Sequence, residues 1–208
     1  TEPVTAEIAG DGVVGNTATD RLVVSFAPIF TKEFVDDPAA AGGSVTLRFT
    51  ITNSFPGSEL TDIEFTDDLN TAIFGLAANS LVAASGLEPE PLVDPCGAGS
   101  LLTIPDPNDT LPPTFPPLPP DPTMLIFTGG TLAPAGMPGD SCTFDIVLDI
   151  PAGTPAGIYT NTTSDVTGVI DTCGECSDPV TGLPVSGDLA LVGAPTLRKE
   201  FTDDPVAP

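Results

Sequence analysis

The chain has no histidine, no tryptophan, one tyrosine and only five basic residues among 208. Without histidine the commonest general base and metal ligand is gone, so a histidine-dependent catalytic triad is excluded. The few Lys and Arg face 29 acids, for a net charge of −24. Such a balance excludes the basic surface that nucleic acid requires, and it disfavours an anionic membrane face. Long apolar runs are missing as well. The longest uncharged stretch near the middle, Leu69 to Leu87, is broken by Asn, Thr, Ser and Gly, so no segment suits membrane insertion. The chain opens with neither methionine nor a signal-like start, the look of a segment excised from something longer.

Abundant instead are proline (25) and glycine (21), spread throughout, with β-branched residues and Phe filling the short runs between them. That punctuation predicts an all-β chain, with strands over Arg21–Phe26, Ile29–Val35, Val45–Asn53, Asp62–Asp67, Met124–Thr128, Cys142–Ile150, Ile158–Val169 and Leu189–Val192. Val45 to Ile51 alternates apolar and polar with period two, the mark of a half-buried antiparallel strand. About seven such strands imply an immunoglobulin-like antiparallel β-sandwich. Two segments stand apart. Leu69–Leu87 is rich in Ala and Leu and could hold a helical turn, although Gly75 and missing caps oppose it. Thr103–Pro122 has nine prolines in twenty residues, which forbids sheet interior and predicts a stiff surface excursion or polyproline II.

The end of the chain repeats its beginning. Residues 22–41 (LVVSFAPIFTKEFVDDPAAA) and 189–208 (LALVGAPTLRKEFTDDPVAP) share ten of twenty positions without a gap, at an offset of 167. One unit of a tandem array with a short return of its pattern has this form. Residues 1–27 read as the tail of a preceding repeat, 28–194 as one complete β-sandwich unit, and 195–208 as the first strand of the next. A 167-residue unit is large enough to bury its own core.

Several pieces in order carry a resemblance. They are KEFxDDP, GGSVTLRFTITN (42–53), TDIEFTDDL (61–69), PCGAGS (95–100), FTGGTLA (127–133), SCTFDI (141–146) and YTNTTSDVTG (159–168). Together they resemble the "conserved repeat domain" families of large bacterial and archaeal secreted proteins, long filed as domains of unknown function. The resemblance covers most of 28–194, and the proline-rich loop departs from it. It implies immunoglobulin-like sandwiches strung in tandem on the cell surface or in extracellular fibres. It also implies that the segments holding Cys96 and Cys142 are neighbours, and hence a disulfide between them. Cys173 and Cys176 form C-G-E-C. A redox site would need a helix behind a strand, and zinc would need two further ligands, so a local disulfide is the reading adopted. Four cysteines in a histidine-free acidic chain suggest disulfides and an oxidising, extracellular setting.

The chain has two lysines, Lys32 and Lys199, at equivalent positions of the repeat. Strand alternation puts Lys32 on one face with Phe30 and Phe34, Asp67 with Ile63, Phe65 and Leu69, and Asn161 with Tyr159. An inward lysine must be paired or lose its charge, and burial makes an amine more nucleophilic. Lysine, asparagine and a buried acid are the groups that an intramolecular isopeptide bond needs, with Asp67 as promoter. The arrangement is similar to that of Gram-positive pilin and adhesin sandwiches. The alternative is an unreactive lysine held by Asp67 or Glu33.

Asp36-Asp37-Pro38, repeated as Asp203-Asp204-Pro205, and Asp67-Asp68 are paired acids that could supply calcium ligands at a junction. No DxDxDG loop is present, and Asp-Asp-Pro also suits a turn. Asn108 and Asn161 each head a glycosylation sequon. Three functions stand in order of fit to these features. The leading one is a structural module of an extracellular filament, stalk or giant adhesin, partnered by neighbouring copies of the same repeat. The second is a cell-surface module binding glycan, or adhering through calcium, by the proline-rich loop. An enzyme comes last, since no nucleophile motif is present.

Overall fold

Alternation decides which residues turn inward. Along Ile29–Phe34 exposed and buried side chains strictly alternate, so Phe30, Lys32 and Phe34 face the core while Ile29, Thr31 and Glu33 face out. Ser44–Thr52 buries Val45, Leu47, Phe49 and Ile51 in the same way. The computed structural model describes residues 5–8, 11–14, 27–109, 117–171, 177–193 and 198–200. The expected strand Arg21–Phe26 and most of 195–208 lie outside the described residues.

Fourteen strands are present among the described residues, and the fold is all-β. A short hairpin of β1 (Thr5–Ile8) and β2 (Asp11–Val14) comes first. There follow β3 (Ile29–Phe34), β4 (Ala39–Ala40), β5 (Ser44–Thr52), β6 (Leu60–Asp68), β7 (Leu92–Val93), β8 (Leu101–Thr103) and β9 (Met124–Leu132). The last five are β10 (Ser141–Asp149), β11 (Gly157–Thr162), β12 (Val166–Asp171), β13 (Ser177–Gly182) and β14 (Ser186–Val192). One layer holds the antiparallel ladder β10-β5-β3, with β11-β14-β4 beside it, β14 packing next to β3. The other layer is a six-stranded sheet in the order β13-β12-β6-β9-β8-β7. Among the described strands, every pairing is antiparallel except β14 with β4.

Aromatic rings from both layers meet between them. Phe30, Phe49 and Phe144 come from the first layer and Phe65 and Phe127 from the second, with ring centroids 4.7 Å apart for Phe30–Phe65 and 5.1 Å for Phe49–Phe65. Offset and tilted rings at this spacing add stabilisation beyond their buried area. Gly130 is required there, because a Cβ at that position would lie 2.9 Å from the Phe127 ring.

The expected single strand Ile158–Val169 is two strands. Thr163 N–H donates to the carbonyl of Val185 in the first layer, and the next N–H, Ser164, donates to the carbonyl of Thr66 in the second. Consecutive amides with partners in different sheets force the chain across the sandwich at 163–165. Residues 160–165 (TNTTSD) are polar throughout, so no apolar–polar pattern marks the crossing in the sequence. In Leu69–Leu87 the helical propensity yields only two 3₁₀ turns, Leu69–Thr71 and Asn79–Leu81. In the proline-rich excursion Pro107–Asp109 forms a 3₁₀ turn, and Asn108 both accepts from Leu118 N–H and donates to its carbonyl. Residues 110–116 lie outside the described residues.

The chain passes through this sandwich from one end to the other. Ile29 pairs with Thr52, which pairs with Ser141, and Ser54 donates to the carbonyl of Ala27, which fixes the starting end. Val192 leaves beside Ala40, near the Gly42 and Gly43 contacts to Ile150, at the opposite end. β3 and β14 therefore run side by side in the same direction.

A disulfide between Cys96 and Cys142 joins the layers, with 5.3 Å between Cα atoms and 46 residues of separation. Cys142 lies on β10, while the Cys96 carbonyl accepts from Thr131 N–H in the other sheet. Closing a loop of that length stabilises by about 4 kcal/mol in the chain-entropy account. The double variant Cys96→Ala, Cys142→Ala should lower the unfolding free energy by about that amount. A urea midpoint equal to that of the native chain would contradict it.

Candidate functional site

Three strands aim polar groups into one point of the apolar interlayer. β3 supplies Lys32, whose side chain has 0% exposure between Phe30 and Phe34. β6 supplies Asp67, also 0% exposed, following Ile63 and Phe65 on the inward face. β11 supplies the fully buried Asn161. The Lys32 amine donates to Asp67 Oδ2 at 2.5 Å and to Asn161 Oδ1. The Phe49 ring lies 5.6 Å from Nζ.

The Asn161 amide is held in one orientation. Its Nδ2 donates to the Asp68 carbonyl at 3.0 Å and to Thr71 Oγ1 at 3.2 Å, so its carbonyl oxygen faces the lysine. Thr71 is itself fixed by donating to the Asp68 carbonyl, and the Asp68 carboxylate caps the turn by accepting from Asn70 N–H. Sequence reasoning missed Thr71 and the Asp68 backbone. The available signal was D-L-N-T, an Asp-capped turn directly after the strand that carries Asp67. On Asp67 one oxygen, Oδ1, is buried without a hydrogen-bond partner.

Burial drives both ionisations toward the uncharged forms. Removal from water pulls the Lys32 amine below the usual lysine value, against the opposing attraction of Asp67. The same burial pushes the Asp67 carboxyl up, against the opposing attraction of Lys32. The site thus holds an amine tending to neutrality, a carboxyl tending to keep its proton, and an oriented carboxamide. Those are a nucleophile, a proton carrier and an electrophile, in a space without exposed surface.

The other candidate residues are not gathered there. Asp36 accepts from Thr46 Oγ1 at 2.6 Å and Asp37 from Ala190 N–H at 2.7 Å, so this pair ties the turn after β3 to β5 and β14. Asp67 is committed to Lys32 and Asp68 to its cap. Among the described residues no group of three or more His, Cys, Asp or Glu side chains is placed to hold a metal ion. Cys173 and Cys176 lie outside the described residues. Neither sequon asparagine presents a free amide. Asn161 is buried, and Asn108 Nδ2 donates to Asp106 and to the Leu118 carbonyl. Among the described residues no helix is long and apolar enough to cross a membrane.

Among solved structures, the chain is similar to the seventh ScaB type I cohesin of Pseudobacteroides cellulosolvens. That likeness has a TM-score of 0.39 at 10% identity, covering 83% of this chain and 97% of the cohesin. The structure of a Coh-OlpC-Doc435 cohesin–dockerin complex from Clostridium thermocellum gives a TM-score of 0.42 at 9% identity, over 84% and 100% of the two chains. A putative membrane anchored protein of Corynebacterium diphtheriae gives 0.38 at 10% identity, over 90% of this chain and 42% of that one. No curated protein matches. A family profile described as Domain of unknown function (DUF7933) matches residues 28–181, most of the chain, and the chain belongs to that family.

Proposed function

We propose that residues 28–194 are a structural module of an extracellular or cell-surface array, a filament, stalk or giant adhesin, joined end to end with units of its own type. One observation carries this reading. The chain enters the sandwich at one end and leaves at the other, and the segment that returns after 167 residues is the strand with which the unit opens. A module with both termini at one end would fold a tandem chain back on itself. This one extends it.

The spacing supports a close joint. β14 ends at Val192, and the position equivalent to Ile29 is Thr196. The three intervening residues, one of them Pro195, span at most about 14 Å, so neighbouring sandwiches must touch or nearly touch. The Cys96–Cys142 disulfide fits an oxidising compartment, and the acidic composition fits a solvated coat. The partners in this reading are neighbouring copies of the repeat.

Small-angle scattering of a chain spanning two consecutive units should give one narrow distribution of maximum dimension, near twice that of a single unit. A broad distribution, or a dimension close to that of one unit, would sink the end-to-end array.

A further inference from the structure

We propose that Lys32 and Asn161 join in an intramolecular isopeptide bond, formed by the protein on itself with Asp67 as the proton carrier. The inference is independent of the array reading, because it rests on the inside of one unit. Three observations converge on it. Lys32 Nζ touches both Asp67 Oδ2 and the Asn161 carbonyl oxygen, and all three side chains are buried. The Asn161 amide nitrogen is held away from the lysine by Asp68 and Thr71, which turns the carbonyl toward the amine. The second oxygen of Asp67 has no partner in a place where an unsatisfied carboxylate oxygen is strongly disfavoured, whereas a carboxyl in the course of receiving and passing a proton needs such a free atom.

The chemistry balances within the three side chains. The uncharged Nζ forms a bond to Cγ of Asn161 while the Asp67 proton moves to the carbonyl oxygen, giving a tetrahedral carbon. Asp67 then takes a proton from Nζ and passes it to Nδ2. As the Cγ–Nδ2 bond breaks, the hydroxyl proton returns to Asp67, the carbonyl reforms and ammonia departs. One primary amine and one carboxamide become one secondary amide and one ammonia, and Asp67 ends as it began. No oxidant, metal or cofactor takes part. Burial keeps water from competing for the tetrahedral carbon and weakens the hold of a proton on Nζ. Loss of ammonia to the solvent makes the step irreversible, and the amide removes a buried amine whose charge had to be paired.

The test is the intact mass of the native, folded chain, followed by peptide mapping. A single bond lowers the mass by about 17 Da relative to the disulfide-corrected sequence, the mass of the expelled ammonia. Digestion at acidic residues, chosen because the chain has five basic ones, should release one branched peptide containing Lys32 and Asn161. Lys32→Arg keeps a cation opposite Asp67 but cannot attack, so it should show the full sequence mass. Asp67→Asn keeps the shape and removes the proton carrier, so its crosslinked fraction should fall at least tenfold. An unmodified mass for the native chain overturns the proposal whether or not either variant folds. A mass loss that persists in Lys32→Arg overturns it too, since the ammonia would then come from another site. Unchanged crosslinking in Asp67→Asn would overturn the assignment of Asp67.

Discussion

Stretched between residues 28 and 193, one unit should release far less chain than its length provides. β3 and β14 run side by side in the same direction, so tension applied at opposite ends shears them past each other. In a chain without crosslinks, shear breaks the β3–β5 ladder and the whole unit unravels. The Lys32–Asn161 bond changes the covalent path. Force entering at residue 28 reaches Lys32 after four peptide bonds, crosses to β11, and leaves along 161–193. The 129-residue separation between the two crosslinked positions is bypassed. At ~3.5 Å per extended residue, about 450 Å of contour length is withheld from a fully reduced chain. With the Cys96–Cys142 bond intact, the difference from an uncrosslinked chain shrinks to about 290 Å, because that disulfide already withholds 46 residues within the same loop. Single-molecule stretching of the native chain and of Lys32→Arg should show these two differences, under reducing and oxidising conditions respectively. Equal extension of both chains would mean that the crosslink carries no load.

The strand faces are the part of this architecture most legible from sequence. Phe30-Thr-Lys32-Glu-Phe34 and Ile63-Glu-Phe65-Thr-Asp67 each declare an inward face by alternation alone, and each places one polar residue on it. What alternation leaves open is which faces meet. Lys32 and Asp67 come from different sheets, and Asn161 comes from the strand just before the crossing at 163–165. Their convergence depends on that crossing, and the polar run TNTTSD over 160–165 holds no alternation that would mark it. The β12–β13 hairpin was illegible for a related reason. Ser177–Gly182 holds Pro179 and ends in glycine, residues that argue against a strand, and it survives as an outer strand beside β12. Asn53, expected as the last residue of the strand Val45–Asn53, follows β5, which ends at Thr52. It is a buried brace, donating to the carbonyls of Ser58 and Ala133 and accepting from Phe55 N–H. A single asparagine beside a strand end carries no periodic signal of such a role.

Replacing Asp67 should be the most damaging polar substitution in the molecule, and a second substitution should repair only part of the damage. Asp67→Ala removes the proton carrier, so the crosslink does not form. The native state then loses the restraint of a loop closed over 129 residues, about 5 kcal/mol in the chain-entropy account. The same substitution leaves the Lys32 amine buried with no opposing carboxylate, and breaking a buried pair in this way costs about 3–5 kcal/mol. The double variant Lys32→Met, Asp67→Leu removes both polar groups with little change in volume, and exchanges of that kind are neutral or stabilising compared with the pair. It should therefore recover the 3–5 kcal/mol of the unpaired amine while remaining about 5 kcal/mol below the native chain. Urea unfolding separates the two terms. The native chain should also show the shallowest dependence on denaturant, because a crosslinked unfolded state exposes less surface. A native stability for Asp67→Ala would remove the carboxylate from both roles, and a double variant as unstable as Asp67→Ala would show that the unpaired amine contributes nothing to the loss.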